Sequence, residues 1–489
     1  MMTPDSPERL YSTRLRTALV LIGSGTAGAY HAGVLRALHE AGVRTDLVAG
    51  RGMGAVSAMF AAVDGGARLW DATGIWKGPG AARLYSWRLA VRVAGWAVLA
   101  AGAILLFPLL LWGCAIVVGA IGLVLTLIGF EATASALTIG FTERVGALFA
   151  PAWLPTILPR LVLLAALVAA ISLGAGLAAR SYGGRTRRRV RHGVLWRLAG
   201  APLSSTAGFD AFASELWKLI RGAAPFQRPK NSELGRRYIE LLGENLGQPG
   251  FRELLAVIHD LDARQDVVFA FLGEAHRHRF FGPSWSASGI PRASEAIDLA
   301  GVGRVHGMDV LAASLALPLG TEPHMIRFPA EGHWRGETHR ACDRPGAVGR
   351  VLEEVAAAGA EQVILVSACP RPGRPHELSA HRGDLRGQAG EQLSAFEAAA
   401  LRDVLETFAG RFAGLHVIRP DHNPLGPLDV EGVHDERSDR DYPVAELVDR
   451  GYEDAYRQFV DPIVGAGGER MQSLQPGYPQ GLPRGAVEP

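Results

Sequence analysis

The chain has 489 residues, with 50 Lys+Arg against 48 Asp+Glu and a formal net charge of +2. So even a balance leaves no global field to hold nucleic acid or a strongly acidic partner. Three cysteines (Cys114, Cys342, Cys369) are too few for a disulfide framework and lack metal-ligand spacing, which fits a reducing, cytosolic setting for the soluble parts.

In chain order, residues 1–14 are polar and mixed in charge, so they are expected to be a disordered N-terminus rather than a signal peptide. "TALVLI" (17–22) is a strand that runs into "GSGTAG" (23–28). A helix over Ala29–Ala41 follows, with Tyr30, Val34, Leu35 and Leu38 on one face and Gly42 at its end. "TDLVAG" (45–50) is a second strand and Ala55–Val63 a second helix. Strand–helix–strand–helix with short links is the start of a parallel α/β sheet, and residues 15–80 form the first part of that domain.

Residues 81–192 read as a membrane insertion. The runs 93–130 and 161–179 contain no charged side chain, and the spans are placed at about 93–130 and 157–179. As one helix the first run would extend about 57 Å against a hydrocarbon core of about 30 Å. It therefore folds back near Pro108 or Gly113, or continues past the bilayer. The competing reading is an unusually apolar soluble helical layer. Arg83, Arg88 and Arg92 precede the first run; Arg180, Arg185, Arg187, Arg188, Arg189 and Arg191 follow the last. Arginine on both outer flanks predicts cytoplasmic ends and an even number of spans. Two spans are expected, or four if Ala132–Trp153 also crosses, against which Glu143 and Arg144 argue. The Arg180–Arg191 cluster suits anionic headgroups, or is a plain stop-transfer flank.

The α/β pattern resumes over 193–464. Phe212–Arg221 is an amphipathic helix, and "ELLAVIHDL" (253–261) with "DVVFAFL" (266–272) are two strands joined by a turn. Met308–Leu315 is a helix, "HMIRF" (324–328) a strand, Val348–Ala358 a helix, and "QVILVSA" (362–368) a central strand. Leu393–Phe408 (helix), "LHVIRP" (415–420, strand) and an amphipathic helix over Ala445–Val464 complete the set. "AHRHRFF" (275–281) is expected to be a basic strand or loop edge rather than a metal site. "PLDVEGVHDERSDR" (427–440) is a charged loop, and residues 465–489 a disordered tail.

"IGSGTAG" is a G-x-G-x-x-G loop between strand and helix, where backbone N–H groups can hold an anion. Two chemistries use such a loop. A dinucleotide- or flavin-binding site needs an acid at the end of the second strand, but that strand ends in Ala49-Gly50, and Asp46 lies at its start. The other chemistry is an oxyanion hole. The stretch Gly50-Arg51-Gly52-Met53-Gly54 has the form of a nucleophile elbow, G-x-S-x-G, with glycine where the serine would be.

"ALVLIGSGTAGAYHAGVLRALHEAGVRTDLVAGRGMGAVSA" resembles the opening of patatin-like lipid acyl hydrolases (phospholipases), through Gly28-Ala29-Tyr30, Gly33-Val34-Leu35, Leu38, Gly42 and the loop-to-elbow spacing. "LLAVIHDLDARQDVVF" (254–269), "HGMDVLAASLALPL" (306–319) and "DRGYEDAYRQF" (449–459) are similar to later parts of that family. The resemblance covers roughly 15–75 and 200–464. It implies a three-layer α/β patatin-like fold with a mostly parallel central sheet, here interrupted by a transmembrane helical insertion.

The family works with a Ser–Asp dyad. On its pattern the nucleophile position is Gly52, and the base position, where the family reads Asp-Gly-Gly, is Arg335. The basic residue before the loop's last glycine is replaced by Ala27, and "VDGG" (63–66) is read as a helix C-cap. Substitute groups are Ser24, Ser57 and Cys342 as nucleophiles and Glu337 as base, each also explicable as an ordinary residue. The elbow is Gly50, Gly52 and Gly54. The anion-binding set is Gly23, Ser24, Gly25, Thr26, Gly28 and Arg335, unless Arg335 merely pairs with Glu337 or Asp343 at the surface. The resulting expectation is a multi-pass membrane protein, its soluble domain cytoplasmic, acting in lipid metabolism or sensing. It would bind a lipid or fatty acyl group without efficient hydrolysis, needing no cofactor and no nucleic acid. The alternatives are an active acyl hydrolase with a non-standard nucleophile and a nucleotide enzyme.

Overall fold

Seven consecutive buried residues, Thr17–Gly23, make the first strand (β1) of the sheet that organises the soluble part of the chain. The computed structural model describes residues 11–148, 157–183, 200–282, 294–373 and 385–465. Helix α1 (Ala27–Glu40), β2 (Leu47–Gly52) and α2 (Met53–Ala62) follow β1 directly. After the insertion come α6 (Thr206–Arg221), α7 (Asn231–Asn245), β3 (Glu253–Asp260), β4 (Gln265–Phe271) and α8 (Glu274–Phe281). Then follow β5 (Ser294–Asp298), α9 (Gly307–Leu315), β6 (His324–Arg327), β7 (Thr338–Cys342) and α10 (Val348–Ala357). Strand β8 (Gln362–Ser367), α11 (Leu385–Phe408), β9 (Gly414–Ile418) and α12 (Glu446–Ala455) end the series.

The sheet has nine strands with the order β9-β8-β1-β2-β3-β4-β5, and β7 joins β3 to β6. Strands β9, β8, β1, β2 and β3 are mutually parallel, as are β4 and β5; β4 and β7 run antiparallel to β3. Alternation divides the side chains between two cores. Leu19, Leu21 and Val48 face one helical layer with α1, α2, α6, α7, α9 and α12. Ala18, Val20, Ile22 and Leu47 face the other, with α10 and α11. The fold is therefore α/β with a mostly parallel sheet covered on both faces, as such buried strands require.

Sequence patterns located most elements. "AHRHRFF" is a correction: it lies in helix α8, not a strand or loop edge. Gly273 and Glu274 start the helix, Phe280 anchors it in the core, and His278 is exposed. The charged stretch 427–440 contains one strand of a small hairpin, Val433–Asp435 with Arg440–Tyr442. Strand β8 is interior but second from the edge, so it is not central.

Residues Trp87–Pro202 form a second compact unit, separate from Met1–Ser86 with Leu203–Pro489. It contains α3 (Leu89–Leu127), α4 (Glu131–Leu148) and α5 (Ile157–Gly183). The first apolar run does not fold back at Pro108 or Gly113. Pro108 lies inside α3, and the chain turns at Gly129, with φ +90°. Among the described residues, two helices are long and apolar enough to cross a membrane, in Leu89–Leu127 and Pro159–Gly176. They meet through small side chains, Ala94 and Ala97 against Ala169, as close helix packing in lipid favours. Trp96, Leu99, Leu105, Leu109 and Trp112 are left exposed. The arginines at 185–191, residues 1–10 of the N-terminus and 466–489 of the tail lie outside the described residues.

Candidate functional site

The glycine loop and the elbow are brought side by side by register: Gly23 at the end of β1 lies opposite Gly52 at the end of β2. The elbow is made. Gly52 has φ +55° and ψ −135°, the strained strand-to-helix turn that the motif demands. Its flanking glycines are required by close approach, since a Cβ on Gly54 would lie 1.9 Å from the carbonyl oxygen of Leu21. A Cβ on Gly52 would meet Asp343 Oδ2 at 2.5 Å. The side chain facing Gly52 is thus Asp343.

Asp343 follows β7, whose antiparallel register (Cys342 opposite His259) returns the chain to the carboxyl end of the sheet. Arg335 is not there. It sits exposed in the turn between β6 and β7, with φ +45° and its N–H donating to Gly332 O. Arg335, expected beside the elbow, is therefore remote from it; the side chain against Gly52 is Asp343, eight residues later and after β7 rather than before it. Glu337 is likewise remote from the elbow, pairing with His339 at 3.3 Å.

What fills the space behind Gly52 is Arg51, 1% exposed. Its Nη1 lies 3.0 Å from both Oδ1 and Oδ2 of Asp343 and 3.3 Å from Ser24 Oγ. Its Nη2 meets Glu397 Oε2 on α11, and Ser24 Oγ donates to Asp343 Oδ2. The site is therefore a buried cluster of one guanidinium, two carboxylates and a hydroxyl. Neither Arg51 nor Glu397 was singled out from sequence. The available signal was an arginine inside an apolar strand, which must find a partner once buried.

Three of the loop's N–H donors already have acceptors. Thr26 N–H donates to Pro427 O at 3.1 Å, Ala27 N–H to Ser24 O, and Gly28 N–H to Gly25 O. Gly25 has φ +56° and is packed against the same Pro427 carbonyl. Of the substitute nucleophiles, burial pushes the Cys342 thiol up to about 12, which keeps it a thiol at neutral pH. Ser57 is buried with its Oγ 3.5 Å from His31 Nδ1. Burial lowers the pKa of His31 to about 4, and its Nε2 lies 3.0 Å from Ile22 O. Ser24 alone of these candidates both bonds to a carboxylate and lines a cavity.

That cavity, about 750 Å³, opens between the loops after β1 and β8, lined by Gly23, Ser24, Thr26, Ser367 and Glu397 among others. The chain leaves β1 toward β2 on one side and β8 toward β9 on the other, so this is the sheet's topological switch point. Its size is ordinary for a small-ligand site, about 300–1,000 Å³. Among the described residues its charged lining is Glu391, Glu397, Asp429, Asp435, Glu436 and Arg437. Among the described residues, no group of three or more acidic, histidine or cysteine side chains is arranged to hold a metal.

Fold and site together define an α/β protein with a glycine elbow, a buried ionic cluster behind it and a cavity at the switch point. No protein-family model matches the chain, and no curated protein matches it. Among solved structures it is similar to VipD from Legionella pneumophila, with a TM-score of 0.30 and 11% identity, over 93% of this chain and 67% of that one. A likeness at that level carries no argument about function.

Proposed function

We propose that this chain is a membrane-anchored relative of the patatin-like lipid acyl hydrolases that binds lipid at the switch-point cavity without hydrolysing it. The observation that carries the non-hydrolytic part is the pairing at the elbow. Gly52 offers no nucleophile, and both oxygens of the facing Asp343 are engaged by Arg51. Serine attack needs a hydroxyl at the elbow and a carboxylate free to take its proton. Lipid as ligand is supported by the two apolar helices of the insertion, which would anchor the chain to a bilayer, and by the motif resemblance. In this reading the arginine flanks keep the α/β unit cytoplasmic.

The test is a fluorophosphonate probe on maltoside-purified protein, beside an Arg51→Thr, Gly52→Ser double variant. Removing Arg51 frees Asp343 to withdraw from the new side chain and act as base. No label on the natural chain and a labelled serine at 52 in the variant are expected. Saturable retention of lipid by the natural protein, read by native mass spectrometry, completes the test; its absence sinks lipid binding.

A second reading has one specific observation behind it. Ser24 Oγ donates to Asp343 Oδ2 and lines the cavity, so a Ser24–Asp343 pair could serve as an unorthodox hydrolytic dyad. Probe label mapping to Ser24 in the natural protein, abolished by Ser24→Ala, would establish this reading and overturn the first.

A further inference from the structure

We infer that the turn over residues 317–321 is a bilayer-surface contact of the α/β unit, with Leu319 at its apex entering the headgroup layer. This inference rests on the membrane-anchored reading above. The turn joins α9 to β6 with the sequence Leu-Pro-Leu-Gly-Thr. Leu317 and Thr321 are buried. Thr321 N–H donates to Leu317 O at 3.1 Å, Thr321 Oγ1 donates to the same oxygen at 3.4 Å, and Gly320 N–H donates to Pro318 O at 2.7 Å. The turn is thus closed on itself and pinned at both ends. At its apex Leu319 is 94% exposed, more than any other large apolar side chain among the described residues. Its φ is +62°, a backbone conformation that glycine adopts freely and leucine only at a cost. A lone exposed leucine is ordinary on a protein surface. This one is both strained and held out in water, and packing within the described residues offsets neither. Such an outlier points to a contact made outside the unit.

Backbone hydrogen bonds put the turn beside the residue at which the chain returns from the insertion. Gly320 O accepts the N–H of Leu203 at 2.9 Å, and Leu203 is where the α/β unit resumes after Pro202. Pro202 O in turn accepts the N–H of Arg88, the residue before α3 begins. Trp87, Arg88 and Arg92 have the composition of a headgroup layer, and the charge-free run opens at Val93. From Leu89 to Val93 the helix rises about 6 Å at about 1.5 Å per residue, close to the thickness of one headgroup layer, about 5–8 Å. Leu319 is therefore two backbone hydrogen bonds away from chain that lies at headgroup depth. An apolar side chain there leaves water for the headgroup–acyl boundary, as interfacial apolar residues do. The turn also lies at the elbow's end of the sheet, since Ala316 O, three residues before Leu319, accepts the N–H of Asp343 at 2.9 Å. Contact at Leu319 puts that end of the α/β unit next to lipid.

The test is site-directed spin labelling of the full-length chain in nanodiscs of phosphatidylcholine and phosphatidylglycerol. Cys114→Ser and Cys369→Ser leave Cys342, which is buried, and one further cysteine is then placed at a time by Leu319→Cys, Leu105→Cys or Arg402→Cys. Leu105 is exposed on α3 and reports the insertion, and Arg402 is exposed on α11 and reports water. All three positions are on the surface, so the replacements leave the core untouched. Relaxation by oxygen, which concentrates in lipid, should exceed relaxation by a water-soluble nickel chelate at positions 319 and 105, with the reverse at 402. A label at 319 that behaves like the one at 402, in either direction, overturns the inference, while a lipid signal at 105 keeps the anchored reading. Shielding of 319 from both relaxants means that protein covers the turn, and it overturns the inference too. Water exposure at 105, or failure of the chain to enter the discs, overturns both readings.

Discussion

Arg51 Nη1 stands 3.0 Å from each carboxylate oxygen of Asp343, and Arg51 is the residue immediately before Gly52 at the tip of the elbow. The pair spans 292 positions of sequence and is buried at both ends. It ties the second strand of the sheet to the segment after β7 by a buried ion pair.

Breaking that link from one side leaves Asp343 and Glu397 buried without their cation. Arg51→Met should therefore destabilise the α/β unit by about 3–5 kcal/mol, as for other broken buried ion pairs. Arg335→Ala, in an exposed turn, should change stability by no more than about 0.5 kcal/mol. Guanidinium denaturation of both variants beside the natural protein checks the contrast, and similar midpoints would contradict it.

Gly52 has φ +55°, and an added Cβ would fall 2.5 Å from Asp343 Oδ2 and 2.7 Å from Gly23 O. Strain at such a position is of order 1–3 kcal/mol before the contact is counted. Gly52→Ala should lower the melting temperature clearly, and Arg51→Thr should cost less in the Gly52→Ala chain than in the natural one, because Asp343 is then free to move from the added methyl. Full additivity of the two losses would argue against the proposed contact.

Acid sensitivity should carry the signature of His31. Burial lowers its pKa to about 4, from an ordinary value near 6.5. The unfolded chain therefore takes up the proton first as pH falls. His31's contribution is complete above about pH 6.5 and is lost progressively down to about pH 4, roughly 3 kcal/mol in all. His31→Gln should flatten the decline between about pH 6.5 and 5, before most carboxylates titrate. An unchanged pH slope would mean that this imidazole is hydrated or charged in the folded protein.

The two ends of the insertion meet at its base, where Arg88 N–H donates to Pro202 O at 3.0 Å. Replacing residues 89–201 with a short Gly/Ser linker should release the α/β unit as a soluble, folded protein. The full chain should instead stay with membranes through an alkaline wash. Elution volume and far-ultraviolet circular dichroism of the shortened protein decide the matter, with aggregation of a protein that keeps its native helix content as the contrary result.

Local pattern made much of this protein legible from its sequence. Short apolar runs ending in glycine marked β1 and β2, one-face apolar spacing marked α1, and small apolar residues after the second turn marked α2. The two uncharged runs marked the insertion helices, and the glycines of 23–28 and 50–54 marked the loop and the elbow, because each signal lies within one element. Strand β7 was missed: "THRAC" is short and half polar, and it is a strand only because β3 and β6 flank it. With β7 unseen, Asp343 could not be placed against Gly52, and Arg335 was set beside the elbow instead. Even Gly33, recognised as part of a helix motif, has its reason elsewhere in the chain, since a Cβ there would lie 1.8 Å from Val448 O on α12. Only the tertiary structure set Ser24, Arg51, Asp343 and Glu397 against one another and placed the cavity at the switch point. Side-chain periodicity is a property of neighbouring residues. Which buried charge meets which depends on strand order and register, and these bring together residues hundreds of positions apart.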